Sequence, residues 1–217
     1  MSSQSVLSNL PPDKTTELIT RLEALPEDAT FIRDRKNQVA YKITFDGQDM
    51  LAKFYRMKKR TSRSIAACGF SRAKRSYRAG YKLIEAGIET PRPLLVLEPG
   101  SPIPNCSYLV TEWLPGTMLM DYLPDHPEAY QSLADHIANL IRQFHGQGFS
   151  HGDFHMKNII VKEDGSIFLI DLDHVRRHLL KLKLRRRLNR DRARLLMSLK
   201  DFPEFIKLLD STLPTSV

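Results

Sequence analysis

Three residues in this chain combine side-chain type and spacing in a way that could do chemistry: Asp153, Asn158 and Asp171. The first two lie in His151-Gly152-Asp153-Phe154-His155-Met156-Lys157-Asn158, which runs into the apolar strand Ile159-Ile160-Val161. After Glu163-Asp164-Gly165-Ser166, a second apolar strand, Ile167 to Ile170, ends at Asp171-Leu172-Asp173. Asp-Gly between two β-rich runs is a strong hairpin signal. A turn centred between Asp164 and Gly165 predicts that Val161 pairs with Phe168, Ile159 with Ile170 and Asn158 with Asp171. Directly opposed residues of an antiparallel pair have Cα atoms roughly 4.5–5.5 Å apart. An amide oxygen and a carboxylate would then converge at the open end, with Asp153 on the loop just before them. Hard oxygen ligands so placed suit Mg²⁺, which takes one or two protein ligands and leaves the rest to water and phosphate. Such an arrangement is the metal end of a phosphoryl-transfer site.

The elements that must position these groups are legible in outline. Gln38–Phe45 and Asp49–Tyr55 both alternate, and Asp46-Gly47 between them predicts a second hairpin. A tight turn there puts Val39, Tyr41 and Ile43 on one face with Met50, Ala52 and Phe54, and Ala40, Leu51 and Lys53 on the other. Ser71 can cap a helix running to about Glu85, with Tyr77, Tyr81 and Ile84 on one stripe, and Gly87 fits its stop. Pro91 and Pro93 lead into a strand from Leu94 to Glu98, residues 99–105 read as a loop, and Tyr108–Glu112 is another strand. The character changes after Trp113-Leu114-Pro115-Gly116, where a lobe boundary is expected. A helix carrying Leu133, Ile137, Leu140, Ile141 and Phe144 at helical spacing then delivers the chain to His151. The division expected is an extension over 1–28 with a short helix from Lys14 to Leu25, a sheet-bearing lobe over 29–112, and a mainly helical lobe over 113–217.

Composition narrows the class. At 217 residues, 41% hydrophobic and 27% charged, the chain is that of an ordinary globular protein. No stretch approaches the roughly 20 apolar residues that span a bilayer, and Met1 to Leu10 lacks a secretory pattern. Cys68 and Cys106 have no metal or redox spacing, so a reducing cytoplasm is expected. The net charge of +8 is concentrated in two stretches, Arg56–Lys82 and Arg176–Arg194. These read either as solvated helix faces or as surfaces for an anionic partner such as a phosphorylated glycolipid, an inner-leaflet membrane or nucleic acid.

The order of a strand lysine (Leu51-Ala52-Lys53), a helix, a strand ending at a hinge, then His-x-Asp-x-x-x-x-Asn and Asp-x-Asp resembles the protein-kinase-like superfamily. Ser71-Arg72-Ala73-Lys74-Arg75-Ser76-Tyr77-Arg78, Gly87-Ile88-Glu89-Thr90-Pro91-Arg92-Pro93, Ile170-Asp171-Leu172-Asp173 and Arg190-Asp191-Arg192-Ala193-Arg194-Leu195 are similar to its lipopolysaccharide core kinases, which phosphorylate heptose or 3-deoxy-manno-octulosonic acid. The likeness runs from about Val39 to Leu199. It implies an α+β, protein-kinase-like two-lobed fold, with a small antiparallel sheet in the first lobe and a helical second lobe. It also implies ATP and Mg²⁺ as cofactors, and a cytoplasmic protein held peripherally on the inner face of the bacterial inner membrane.

Phosphoryl transfer needs positioning and charge neutralisation more than covalent chemistry. The resemblance makes Asp153 the group that takes or orients the acceptor proton, Asn158 and Asp171 the Mg²⁺ ligands, and Asp173 a second metal ligand or support. Lys53 would bind phosphates, and the backbone at Glu112 and Leu114 the adenine edge. His151 and His155 are expected to support the loop. Asp191 shares an apolar stripe with Leu188, Leu195 and Leu199; a carboxylate there is costly unless paired, so it is expected to turn inward onto the catalytic-loop backbone. Departures are visible as well. Arg33-Asp34-Arg35-Lys36-Asn37 stands where a glycine-rich loop is expected, as a solvated turn. The only acid between Met50 and Ile88 is Glu85, at the wrong end of the helix to pair Lys53. A small kinase or ATPase of RNA processing and a nucleotide-binding pseudokinase are the alternatives; nucleic acid ranks below glycolipid as the partner, and oligomeric state is not readable.

Overall fold

The computed structural model describes residues 6–24, 29–35, 37–57, 71–98, 106–178 and 180–213. The chain forms two compact units, one of Met1–Tyr81 with Pro91–Trp113, the other of Lys82–Thr90 with Leu114–Val217. No helix among the described residues is long and apolar enough to cross a membrane.

The first unit holds β1 (Val6–Ser8), α1 (Pro12–Ala24), β2 (Thr30–Arg35), β3 (Gln38–Phe45), β4 (Gln48–Arg56), most of α2 (Arg72–Glu85), β5 (Pro93–Leu97) and β6 (Cys106–Glu112). Its strands form one antiparallel sheet in the order β1-β5-β6-β4-β3-β2. Asp46 and Gly47 both take positive φ, which makes a two-residue turn matched to the strand twist. Phe45 therefore pairs with Gln48, and Val39, Tyr41 and Ile43 oppose Phe54, Ala52 and Met50. This is the expected register. Ile43, Met50 and Ala52 form one core with Leu95, Leu97, Val110 and the α1 residues Leu18 and Leu22. On the opposite face Tyr55, Val96 and Leu109 pack with Ala73 and Tyr77 of α2. Alternation along β4 puts Lys53 on that α2 face.

Three expectations are corrected here. Residues 6–24, read as an extension, supply an edge strand and a helix whose Leu18 and Leu22 are 0% and 1% exposed in the sheet core. Arg33-Asp34-Arg35 is not a turn: it pairs with Ala40, Val39 and Gln38 as the edge strand β2, and Asp34 takes both guanidinium nitrogens of Arg56 at 2.9 and 3.2 Å. An edge strand tolerates such charges because one side of it faces solvent. In α2, Ser71 caps as expected, its hydroxyl accepting from Lys74 N–H at 3.0 Å and donating to the buried Glu98 carboxylate, whose pKa burial pushes up. The buried stripe, however, ends on Leu83, while Ile84 is 37% exposed. The helix stop decides this: Ile88 N–H donates to Leu83 C=O at 2.8 Å and Gly87 N–H to Ile84 C=O at 2.9 Å, burying the Leu83 and Ile88 side chains at the turn.

The second unit contains β7 (Thr117–Met118), α3 (Leu119–Tyr122), α4 (Tyr130–Gly146), β8 (Phe149–Ser150), β9 (Ile159–Val161), β10 (Ile167–Leu169), β11 (Arg176–Arg177), α5 (Lys181–Ser198) and α6 (Pro203–Thr212). α4 buries Leu133, Ile137, Leu140, Ile141 and Phe144, the stripe anticipated from spacing. Phe205 of α6 is buried edge-on to Tyr130, ring centres 5.3 Å apart. Cys106 is half-buried. Cys68, Lys36, the loop over 99–105 and most of the first basic stretch (58–70) lie outside the described residues.

Candidate active site

The β9–β10 hairpin forms, but not in the expected register. Val161 pairs with Ile167, Ile160 with Phe168 and Ile159 with Leu169. Gly165 N–H donates to Lys162 C=O at 3.0 Å and Lys162 N–H to Ser166 C=O at 2.9 Å, so three residues, not two, make the loop. Gly165 sits at φ +78, the left-handed position that ends such a loop. Asp164 fixes it by accepting from Ser166 N–H at 2.9 Å. One added loop residue shifts every partner by one, and Ile170, not Asp171, donates to the Asn158 C=O, at 2.9 Å. Asp171 therefore follows the residue opposite Asn158 and turns there at φ 60, ψ 60. Non-glycine residues seldom occupy that region, and its use at a chemically loaded position is informative. Asp173 is buried on the next turn, Leu172–His174.

The short segment Lys82–Thr90 of the same unit covers the hairpin's free edge along β10. Leu169 N–H donates to Glu89 C=O at 3.0 Å, and the Thr90 hydroxyl donates to Leu169 C=O at 2.7 Å.

The loop before β9 is held at both ends. Asp191 of α5, 1% exposed, accepts from His151 N–H at 2.7 Å and Gly152 N–H at 2.9 Å. Burial pushes its carboxyl up, against the two loop N–H groups and nearby Arg194 and Arg187, which pull it down. Farther along the loop, Met156 N–H donates to Ser198 Oγ at 3.1 Å. Gly152 is required where it stands: at φ +79, a Cβ would lie 3.0 Å from His174 Cβ and 3.1 Å from its carbonyl. His151 is wholly buried beside Phe154 and Phe144. Its Nε2 lies 3.1 Å from Ile170 C=O, tying the loop to the residue before Asp171. Burial pushes its pKa down to about 4, so the ring is neutral near pH 7.

Asn158 Nδ2 donates to the Asp153 backbone carbonyl at 2.8 Å and lies 3.4 Å from His155 Nε2. The amide nitrogen is thus committed to the loop, and Oδ1 is the group left to act as a ligand. The Asp153 carboxylate is 41% exposed, with His155 Nε2 at 3.4 Å from one oxygen and Arg194 Nη1 at 3.7 Å from the other. Among the described residues no group of three or more His, Cys, Asp or Glu could hold a metal ion. The donor set that remains, an Asn158 oxygen and the half-buried Asp171 carboxylate, is hard and small in number, which fits Mg²⁺ rather than Zn²⁺ or Ca²⁺.

In the first unit, Lys53 is half-buried in the middle of the sheet, between Ala40 and Leu109. Glu112 ends β6 with its N–H donated to Arg92 C=O at 3.0 Å and its carboxylate accepting from Arg92 N–H at 2.9 Å. Its C=O accepts from the Thr111 hydroxyl at 3.1 Å. Leu114 falls in the other unit and is half-buried. Arg194 and Ser198 were not singled out as site residues by sequence. The signal was available: they stand three and seven residues after Asp191, so a helix that turns Asp191 onto the loop turns them the same way.

An antiparallel sheet carrying a central lysine, followed by a mainly helical unit whose His-Gly-Asp loop is braced by a helix aspartate, defines a protein-kinase-like fold. Within that class, residues 33–208 match the model of the lipopolysaccharide kinase (Kdo/WaaP) family, and the chain belongs to this family. A 3-deoxy-D-manno-octulosonic acid kinase of Vibrio parahaemolyticus is 28% identical over 99 residues. That match covers 44% of this chain and 40% of the relative's length.

Proposed function

We propose that the protein transfers the γ-phosphoryl group of ATP to a hydroxyl of a lipopolysaccharide inner-core sugar, heptose or 3-deoxy-manno-octulosonic acid. The carrying observation is the braced loop: Asp191 and Ser198 fix its main chain, and Asn158 is fastened to the carbonyl of Asp153. A phosphoryl-transfer site acts by holding reactants in line and neutralising charge, and this loop is built to hold. In the step itself the acceptor oxygen attacks the γ-phosphorus, the bond to the β–γ bridging oxygen breaks, and ADP leaves. The acceptor proton passes to Asp153 and on to solvent. Mg²⁺, held by Asn158 and Asp171, would offset the negative charge on the phosphates. Lys53 would bind the α- and β-phosphates, and the Glu112 C=O and Leu114 backbone the adenine edge.

Exposed Arg185, Arg186, Arg187 and Arg190 of α5 supply a basic face suited to an acidic glycolipid or an anionic leaflet. This supports a peripheral position at the inner membrane. The test is transfer from labelled ATP to deep-rough lipopolysaccharide, with mass spectrometry of the core oligosaccharide from cells with and without the gene. A phosphate that disappears from the core with the gene is the expected result. Binding of Mg·ATP with no transfer to any glycolipid would refute the proposal in favour of a nucleotide-binding pseudokinase.

A further inference from the structure

The geometry points to Arg194 as a positioning residue for Asp153, a role that rests on the kinase function proposed above. The loop main chain is fixed by Asp191 and Ser198, but those bonds leave the Asp153 side chain to turn. Among the described residues two groups address its carboxylate, one at each oxygen: His155 Nε2 at 3.4 Å and Arg194 Nη1 at 3.7 Å. Arg194 rises from α5 one turn beyond Asp191, so a single rigid helix braces the backbone of the loop and the side chain it presents. A 1 Å error in such a group can cost on the order of 10²-fold in rate.

Electrostatics argue the same way. Asp153 must meet an acceptor beside a phosphate-rich nucleotide, where a bare carboxylate is repelled. A guanidinium at its flank offsets that repulsion and holds the carboxylate in one orientation. Both partners are about half exposed, 51% and 41%, and exposed ion pairs at this separation add little to stability. A folding role alone therefore predicts almost no effect from removing Arg194. A lysine would keep the charge while losing the planar fork.

The experiment compares wild type, Arg194→Gln and Arg194→Lys in transfer from labelled ATP to deep-rough lipopolysaccharide, with thermal melting of each variant. For Arg194→Gln we expect kcat to fall about 10- to 100-fold with both KM values within about threefold, the pattern of an interaction needed in the transition state. Arg194→Lys should recover most of that loss, and the melting temperatures should agree. Unchanged kcat in Arg194→Gln overturns the assignment while leaving the kinase function standing. A raised KM for lipopolysaccharide at constant kcat also overturns it, since Arg194 would then contact the acceptor's anionic groups instead. Absence of transfer by the wild type refutes the kinase function, and this inference with it.

Discussion

Asp153 and Asn158 are joined by one hydrogen bond, yet their side chains are expected to fail separately. Asn158 holds the carbonyl of Asp153, not its carboxylate. Asp153→Ala therefore keeps the amide in place while removing the group that takes the acceptor proton. Transfer should fall by about 10²–10⁴-fold, the usual worth of a general base, while ATP affinity measured by calorimetry stays close to wild type. Parallel loss of binding and transfer in a folded variant would contradict that division of labour. Asp171 belongs to the other task. With Asn158 it is one of two oxygen donors proposed for Mg²⁺, so Asp171→Ala should remove the gain in nucleotide affinity that Mg²⁺ confers. Titrations with and without Mg²⁺ that still differ as in the wild type would refute the ligand assignment.

At the scale of the element, α5 carries more of the site than any strand does. Asp191→Ala would leave the buried His151 N–H and the partly buried Gly152 N–H without their acceptor, which costs about 2–6 kcal/mol at the usual penalty per group; urea unfolding measures it. Asp191 was legible in the sequence because a carboxylate among Leu188, Leu195 and Leu199 has to find partners. Hairpin β3–β4 was legible to the residue, whereas β9–β10 slipped by one although both carry Asp-Gly. In the first, Asp46 and Gly47 are the whole turn. In the second, Asp164 spends its side chain on Ser166, Glu163 joins the loop, and only Gly165 takes the left-handed residue. The dipeptide announces a hairpin without fixing its loop length, and the register follows the length. Other parts were hidden for different reasons. β2 is an edge strand whose two apolar residues, Phe31 and Ile32, are adjacent and so point to opposite faces, followed by Arg33-Asp34-Arg35, which leaves no apolar alternation to read. Helix α1 shows two leucines four apart in a polar segment, too few to reveal a core contact. Leu18→Ala should nonetheless cost about 2–5 kcal/mol in the same assay, as large-to-small core changes do. A loss below about 0.5 kcal/mol, the level of a surface change, would mean that α1 is dispensable to the sheet.

For the molecule as a whole, buried titratable groups set how stability responds to acid. His145 and His151 are both buried, and burial pushes each pKa down from 6.5 to about 4. Below about pH 6.5 the unfolded chain takes up a proton at each site while the native protein does not. Protonation then favours unfolding increasingly until about pH 4, where the native rings also titrate. Glu98 and Asp191 act in the opposite sense. Burial raises both carboxyls, so their charged forms are penalised in the native state and acid relieves the penalty. That relief sets in as pH falls through each raised native value and is complete at the ordinary carboxylate range, so it offsets part of the histidine loss. The net charge of +8 grows as histidines and carboxylates protonate, and self-repulsion adds to the loss. Urea midpoints should therefore fall steadily from pH 7 toward pH 5. His145→Gln, which removes one titrating ring that has no part in the proposed phosphoryl transfer, should make that slope shallower. A midpoint constant across this range, or a slope unchanged in His145→Gln, would show that the buried rings do not govern the acid response.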